Sequence, residues 1–270
     1  MAVEELKKTL VLGHRNPDTD SICSAICYAG FKHQLTGENY EPCRAGNVNP
    51  ETQYVLDYFK LKAPRLVENV KTQVKDIEIR KTKGVSRGIS LKNAWGLMQE
   101  NNVVTLPCVT EEGLLEGVIT IGDITKSYMN LYDSSIISKA CTKYANILDT
   151  LEGSMVVGDS EAYFDRGKVL IAAANPDLME NYIEKHDLVI LGNRYESQLC
   201  AIEMEAGCII VCEGAGVSLT IRKLAQERGC AVITTPYDTY TTARLINQSM
   251  PISYFMTKEN IIEFSEEDYL

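Results

Sequence analysis

The sequence predicts an α/β fold that includes a smaller α+β unit, and three stretches of the 270 residues support this prediction. Residues 9–59 read as strand, helix, strand, helix, which is the order of an open parallel sheet. Residues 90–128 read as helix, strand, strand, helix, a small α+β unit. From Ser154 to Asn247, short apolar runs alternate with helical stretches, which indicates a second parallel sheet. Length and pattern together predict several domains rather than one.

The composition indicates an acidic globular protein, with 45% hydrophobic and 24% charged residues and a net charge of −10. This acidity argues against a general nucleic-acid binder, which needs Lys and Arg to neutralise phosphates. The sequence has no run of 18 apolar residues, so no membrane span is predicted. The start, MAVEELKKTLVLG, lacks a signal-peptide pattern, so we expect a cytoplasmic protein whose nine cysteines are reduced.

The first stretch opens with the apolar run TLVLG, and apolar residues at helical spacing follow it. Either Asp20 or Ser21 is the predicted cap of that helix. The predicted elements are a strand at 9–13, a helix at 21–35, a strand at 40–45 and a helix at 50–59. Four elements cannot cover both faces of a parallel sheet, so we expect them to form part of a larger domain.

The middle stretch centres on the helix SLKNAWGLMQENN, which Ser90 caps and which has Ala94 and Met98 on one face. The strands VVTLPCV and LLEGVITI follow, and a further helix begins at Gly122. The sequence at 132–150 predicts a connecting helix. Beyond it, the predicted elements are the strands MVVG, KVLIAAA, DLVILG, CIIVCEG and CAVITT, with helices at 176–184, 195–206, 218–226 and 239–247.

The loop HRNPDTDS follows the first strand, where α/β sheets usually place ligand groups. Side chains at i and i+2 of an extended loop point to opposite sides, so Asp18 and Asp20 could bind two different ions, with His14 beside Asp18. One imidazole with hard oxygen ligands suits Mn²⁺ or Mg²⁺, and two such ions can clamp a phosphoryl group. In the alternative interpretation, Asp18 and Asp20 only shape an Asx turn and cap the helix.

The run GHRNPDTDS at 13–21 closely resembles the first motif of the DHH phosphoesterase superfamily, and specifically of the family II inorganic pyrophosphatases. Members of that family use manganese or cobalt to hydrolyse pyrophosphate to two phosphates. The resemblance implies that His14 and Asp18 ligate one metal ion, Mn²⁺, Co²⁺ or Mg²⁺, and that Asp20 ligates the other.

Other parts of that family's site are missing from the 270 residues. No Asp-His-His tripeptide occurs, and the remaining histidines, His33 and His186, lie in the first helix and before a distant strand. A carboxyl-terminal domain that carries substrate-binding Lys and Arg is also missing. The chain therefore holds no complete catalytic set, and we expect that it does not hydrolyse pyrophosphate alone.

The run GVITIGD at 117–123 joins a strand to the N-terminus of a helix, whose free N–H groups and dipole attract phosphate. The Thr120 hydroxyl can donate to a phosphate oxygen, and the Asp123 carboxylate can accept from ribose hydroxyls. The alternative is that Thr120 is only a strand residue and Asp123 only a cap.

Residues 70–128 resemble a CBS domain, an adenine-nucleotide-binding module. GVITIGD fits that family's Gly-hydrophobic-hydrophobic-Thr-x-x-Asp pattern at every position, and the helix at 94–98 and the strand LPCV match as well. The resemblance implies that Thr120 and Asp123 contact the phosphate and ribose of AMP, ADP or ATP. It also implies that the strand near 104–107 lies against the base.

CBS domains work in pairs, and the tail ISYFMTKENIIEFSEEDYL resembles the lead-in of a second one. Residues 131–247 resemble the DRTGG domain by order and position. The predicted architecture is a partial DHH domain with a parallel-sheet start at 1–67, a CBS domain at 68–130, a DRTGG-like α/β domain at 131–247 and a truncated second CBS domain at 248–270. This order matches the family II pyrophosphatases whose DHH domain is interrupted by CBS, DRTGG and CBS domains.

In that subfamily adenine nucleotides regulate the hydrolase, and members with DRTGG also respond to diadenosine polyphosphates. We therefore expect the amino-terminal and regulatory portion of such an enzyme, which would bind pyrophosphate only if the enzyme is complete. The alternative is a stand-alone nucleotide sensor without catalysis. CBS pairs commonly stack, so the resemblance also implies a homodimer.

The turn at 214–218 could cradle phosphate, but it lacks the Lys of a P-loop, and a tight turn is the alternative.

Overall fold

The protein divides into two units in a computed structural model that describes residues 8–79, 82–129 and 133–270. Unit 1 consists of Met1–Ile79 with Phe264–Leu270, and unit 2 consists of Arg80–Glu263. In the described part of the chain, no helix has the length and apolar character needed to cross a membrane. The domain boundaries after residues 67 and 247 stay predictions, and the boundary after residue 130 lies outside the described residues.

Unit 1 contains a three-stranded parallel sheet in the order β1-β2-β3. The α1 helix packs on β1 and β2 through Ile22, Ala25 and Ala29, which are buried. The elements are β1 (Thr9–Val11), α1 (Thr19–Thr36), β2 (Tyr40–Arg44), α2 (Pro50–Tyr58) and β3 (Arg65–Leu66). The predicted β-α-β-α order is confirmed. The two-residue strand β3 was not predicted, because so short a segment has no detectable period.

The start of α1 differs from the prediction, because Asp18 is the N-cap rather than Asp20 or Ser21. Asp18 has an extended backbone, and its carboxylate accepts the N–H of Ser21 at 2.9 Å. That bond satisfies one of the free N–H groups that begin every helix. Gly37 ends α1 in the left-handed conformation at φ 73°, which glycine adopts without strain.

The CBS part of unit 2 is an antiparallel hairpin with two helices. Its elements are α3 (Leu91–Glu100), β4 (Thr105–Val109), β5 (Leu115–Thr120) and α4 (Ile121–Met129). Ser90 caps α3 as predicted, because its Oγ accepts the N–H of Asn93 at 3.1 Å. Val85 adds a bridge to β4, and Thr257 of the predicted second lead-in adds a bridge to β5. The small sheet thus takes edge residues from both ends of unit 2.

The predicted connecting helix at 132–150 was wrong. Residues 130–132 lie outside the described residues, and the rest divides into α5 (Ile136–Lys139), β6 (Thr142–Lys143) and α6 (Tyr144–Thr150). Cys141 has φ 50°, which interrupts the helix between α5 and β6. The buried Thr142 hydroxyl donates to the Ile137 carbonyl at 2.8 Å and stabilises the interrupted conformation.

The DRTGG part of unit 2 is a five-stranded sheet in the order β7-β12-β11-β10-β9. Its elements are β7 (Ser154–Val157), β8 (Tyr163–Phe164), β9 (Val169–Ile171), α7 (Pro176–Met179), β10 (Leu188–Leu191), α8 (Tyr195–Glu203), β11 (Cys208–Val211), α9 (Leu219–Arg228), β12 (Ala231–Thr234) and α10 (Thr239–Leu245). Strands β9 to β12 are parallel, whereas β7 pairs antiparallel with β12. The short strand β8 pairs with β6 outside this sheet. The predicted parallel sheet is confirmed for β9 to β12 and is wrong for β7, which runs antiparallel.

The central strands of this sheet are buried on both faces, as their continuous apolar sequences indicate. Side chains alternate between two clusters: Leu188 and Ile190 enter one, and Val189 and Leu191 enter the other. The first cluster also contains Met98 of α3 and further residues of the CBS part. The CBS and DRTGG parts therefore share one hydrophobic core within unit 2.

All nine cysteines lie in the described residues and are free thiols. Six of them are buried, and burial raises the pKa of Cys108 to about 11 and that of Cys230 to about 12. These thiols are neutral at physiological pH and pack as small apolar groups.

Candidate metal and nucleotide sites

The loop after β1 brings two of the three predicted metal ligands together. His14 Nε2 lies 3.3 Å from Asp18 Oδ1, and both side chains are more than half exposed. The N–H of Ser21, and then the charge of His14, hold the pKa of Asp18 below its usual value. The Asp18 carboxylate is therefore ionised and can accept a cation, although it also caps α1. The metal and cap interpretations of Asp18 are compatible.

Asp20 lies apart from this pair, in the first turn of α1. Its Oδ1 accepts the hydroxyl of Ser24 at 3.3 Å, one turn further along the helix. Nowhere in residues 8–79, 82–129 and 133–270 do three His, Cys, Asp or Glu side chains form a group that could hold a metal ion. The donor chemistry of His14 and Asp18 fits one edge of a divalent-cation site, and the described residues do not complete it.

Two glycines allow this loop to pack closely. A Cβ on Gly13 would lie 1.9 Å from Ser21 Oγ, and a Cβ on Gly46 would lie 2.4 Å from the Arg15 carbonyl oxygen. Any larger residue would push the loop away from α1 or from the segment after β2. The Ser21 hydroxyl itself is buried and makes no hydrogen bond with the described residues. A polar atom with unused bonding capacity therefore lies at the base of the loop.

The predicted nucleotide contacts Thr120 and Asp123 lie together where β5 becomes α4. Asp123 Oδ2 accepts the backbone N–H of Thr120 at 2.9 Å and its hydroxyl at 2.7 Å, and Thr120 Oγ1 accepts the N–H of Asp123 at 3.2 Å. This reciprocal arrangement is a capping box, with aspartate in place of the usual glutamate. The cap interpretation of Asp123 fits this geometry, and the Thr-x-x-Asp spacing at a strand-to-helix junction is the sequence signal for it.

The capping box leaves ligand capacity at this junction. Both side chains are only half buried, and no hydrogen bond to Asp123 Oδ1 occurs within the described residues. The Ile121 N–H donates to the Val104 carbonyl at 3.0 Å, and Val104 is exposed. The start of the strand that was predicted to face the base therefore lies at the same end of the hairpin as Thr120 and Asp123.

The glycine-rich turn after β11 begins with two N–H groups that bond within the protein. Glu213 and Gly214 both have positive φ, at 62° and 63°. Their N–H groups donate to the carbonyls of Tyr237 and Thr235, each at 2.8 Å, so these donors are already used. The tight-turn interpretation fits this geometry.

Comparison with known families agrees with the two parts of unit 2. The CBS domain family matches residues 74–130, and the DRTGG domain family matches residues 146–249. A crystal structure of the CBS and DRTGG domains of the regulatory region of Clostridium perfringens pyrophosphatase, complexed with its activator diadenosine tetraphosphate, superposes with a TM-score of 0.69. It is 36% identical, over 73% of this chain and 86% of that one. The fold thus defines a regulatory region of the CBS–DRTGG class.

Curated relatives extend the match over nearly the whole chain. The cobalt-dependent inorganic pyrophosphatase of Clostridium perfringens is 40% identical over 96% of this chain and 47% of its own length. The probable manganese-dependent inorganic pyrophosphatase of Thermotoga maritima is 30% identical over 95% of this chain and 47% of its own length. The chain therefore belongs to the family of metal-dependent inorganic pyrophosphatases with CBS and DRTGG domains, and it spans about half the length of these relatives.

Proposed function

We propose that these residues form the regulatory region, with an amino-terminal metal-binding segment, of a nucleotide-regulated manganese- or cobalt-dependent inorganic pyrophosphatase. The identity with two metal-dependent pyrophosphatases over nearly the whole chain supports this proposal. The reaction is hydrolysis of pyrophosphate to two phosphates. Pyrophosphate binds only where further metal ligands and a cationic clamp complete the site.

The regulatory role is supported by the geometry of the junction between β5 and α4. The helix dipole favours phosphate at the start of α4, where the Thr120 hydroxyl can turn from Asp123 and donate to it. Asp123 accepts from the ribose hydroxyls. The ligands are AMP, ADP, ATP or a diadenosine polyphosphate, and the activator bound to the Clostridium perfringens regulatory region supports the last of these.

Calorimetry with AMP, ATP and diadenosine tetraphosphate tests this assignment. We expect Asp123→Ala to weaken nucleotide binding by about 10-fold or more, because a ribose hydroxyl pair loses a charged acceptor. Asp238→Ala is the matched control, because Asp238 caps α10 by accepting both the N–H and the hydroxyl of Thr241, at 2.9 and 2.7 Å. Both variants lose a helix cap, so only a ligand contact distinguishes them.

Equal nucleotide affinity in the Asp123→Ala and Asp238→Ala chains would contradict the assignment. Circular dichroism of both variants checks that their helix content matches that of the parent chain.

The amino-terminal loop is proposed to hold a divalent metal ion through His14 and Asp18, and a second ion through Asp20. Contact between His14 and Asp18 and the ionised state of Asp18 support the first ion. Mn²⁺ or Co²⁺ supplies Lewis-acid activation of a phosphoryl group when bound. The residues of this chain contribute the imidazole, the carboxylates and the close packing of the loop on α1.

A nucleotide or diadenosine-polyphosphate sensor without catalysis is the second candidate function. The observation that favours it is that no three potential metal ligands form one group within the described residues. Trp95 and Tyr128, each 43% exposed on α3 and α4, support the predicted homodimer as aromatic contact groups. The cytoplasmic location and the absence of nucleic-acid or membrane partners stay predictions.

A further inference from the structure

A wide cleft in unit 2 has a chemistry that none of the sites above uses. Its volume is about 850 Å³, and it lies between the residues before α3, the α5–α6 segment and the residues after α10. Arg87, Lys143 and Lys258 line it, and Glu111 is the one carboxylate among its described lining residues. Cations thus outnumber carboxylates among the lining residues, although the chain as a whole carries a net charge of −10. Glu116 and Glu161, which lie outside the lining, pair with Arg87 and Lys143.

Hydrogen bonds join the walls of the cleft to one another. Asn146 Nδ2 donates to the Gly88 carbonyl at 3.0 Å, and the Ser253 N–H donates to the Arg87 carbonyl at 3.0 Å. Lys92 Nζ donates to the Asp149 carbonyl at the end of α6, also at 3.0 Å. The basic groups are therefore presented by a connected scaffold, which lowers the entropy cost of ordering them around a ligand.

The cations of the cleft are available to a polyanion. Arg87 Nη1 lies 3.1 Å from Glu116 Oε1, and Lys143 Nζ lies 2.5 Å from Glu161 Oε2; Arg87 and Glu161 are exposed, whereas Glu116 and Lys143 are partly buried. Exposed ion pairs are weak, so a ligand with several negative charges can compete with them. Lys258 is exposed and has no ion pair within the described part of the chain. A ligand with a single charge would neutralise one of these groups, whereas a polyphosphate carries enough negative charge for all three.

Two tyrosines add an aromatic surface to the cleft. Tyr163 on β8 is 58% exposed, and Tyr254 after α10 is 46% exposed. Exposed aromatic rings provide stacking platforms for a nucleobase. The cleft therefore combines the recognition groups for a base with those for a phosphate chain.

The cleft is separate from the proposed nucleotide site at Thr120 and Asp123. Thr105 pairs with Thr120 at one end of the β4–β5 hairpin, and Glu111 belongs to the turn at the other end. The strand from Leu115 to Thr120 spans about 17 Å. A ligand at the start of α4 and a ligand in the cleft therefore occupy opposite ends of the hairpin.

We propose that this cleft is a second ligand site, which binds a small molecule that carries a polyphosphate group. Arg87, Lys143 and Lys258 bind the phosphates, and Tyr163 and Tyr254 stack on the base of a nucleoside polyphosphate.

Calorimetry of the 270-residue chain with inorganic tripolyphosphate and with ATP tests the proposal. The parent for the test is the Thr120→Val/Asp123→Ala variant, which lacks the side chains of the first site. We expect Lys143→Met/Lys258→Met in this parent to weaken binding of both probes at least 10-fold. Lys185→Met/Lys223→Met is the control, because it removes the same charge from exposed lysines outside the cleft lining.

Unchanged binding in the control and weakened binding in the cleft variant support the site. Tighter binding of ATP than of tripolyphosphate assigns it to nucleotides, and equal binding assigns it to inorganic polyphosphate. Equal weakening by both lysine pairs would overturn the proposal, because it reports only net charge. Failure of either probe to bind the parent would overturn it as well.

Discussion

Asp18 makes two contacts at one position, since its carboxylate accepts the Ser21 N–H and lies beside His14. An N-cap needs a short acceptor on an extended residue, and a hard cation needs an ionised oxygen. Asp18 caps α1 and is also the proposed ligand, and the N–H bond that caps the helix stabilises the charge that a cation needs. The sequence alone placed the cap at Asp20 or Ser21, because the spacing does not reveal which residue is extended.

Removal of His14 separates the metal role from the capping role. We expect His14→Ala to weaken Mn²⁺ binding by about 10-fold or more, because an imidazole ligand is lost while Asp18 still caps α1. The fraction of free Mn²⁺, measured by electron paramagnetic resonance during titration, reports the affinity. His33→Ala is the matched control, because His33 Nδ1 lies 2.7 Å from the Glu38 carbonyl oxygen at the far end of α1. Equal Mn²⁺ affinity in both variants would refute the predicted ligand.

At the scale of elements, the central strands were predictable and their irregular neighbours were not. The run DLVILG became β10 because it is apolar throughout, as a strand buried on both faces requires. The break at Cys141 and the two-residue strand β6 arise from tertiary contacts, such as the bond from Thr142 to Ile137. A pattern of apolar residues does not contain that information, so a continuous helix was predicted there.

Two isoleucines that face each other across β9 and β10 allow a test of how much the buried core contributes to stability. Ile190 is fully buried in the core that the CBS and DRTGG parts share, and its partner Ile171 is 47% exposed. We expect Ile190→Ala to lower the free energy of unfolding by about 2–5 kcal/mol, because it leaves a cavity. Ile171→Ala should lower it by under about 1 kcal/mol.

Urea titrations followed by the fluorescence of Trp95 measure both effects. Trp95 is the single tryptophan of the sequence and lies in unit 2, so the signal reports that unit. If Ile171→Ala lowers the free energy of unfolding as much as Ile190→Ala does, the shared core is not the main source of stability for the sheet.

For the whole molecule, the motifs indicated the order of the parts but not how they join. CBS and DRTGG signatures lie in separate stretches of the sequence, at 74–130 and 146–249. Nothing in either stretch indicates that Met98 and Ile190 share a core, because that contact depends on the path of the chain between them. The cleft with Arg87, Lys143 and Lys258 was missed for the same reason, since its residues are distant in sequence.

The catalytic capacity of the 270 residues follows from their inventory of metal ligands. The three histidines are His14, His33 and His186, and within the described ranges no three potential ligands meet. Two metal ions that activate water and clamp a phosphoryl group need many more ligands than the His14–Asp18 pair provides. We therefore expect no Mn²⁺- or Co²⁺-dependent release of phosphate from pyrophosphate by this chain, including the chain that has the proposed nucleotide bound. A colorimetric phosphate assay measures this, with the Clostridium perfringens enzyme as the positive control. Release above the metal-free blank would contradict the expectation and would require a ligand set that these contacts do not supply.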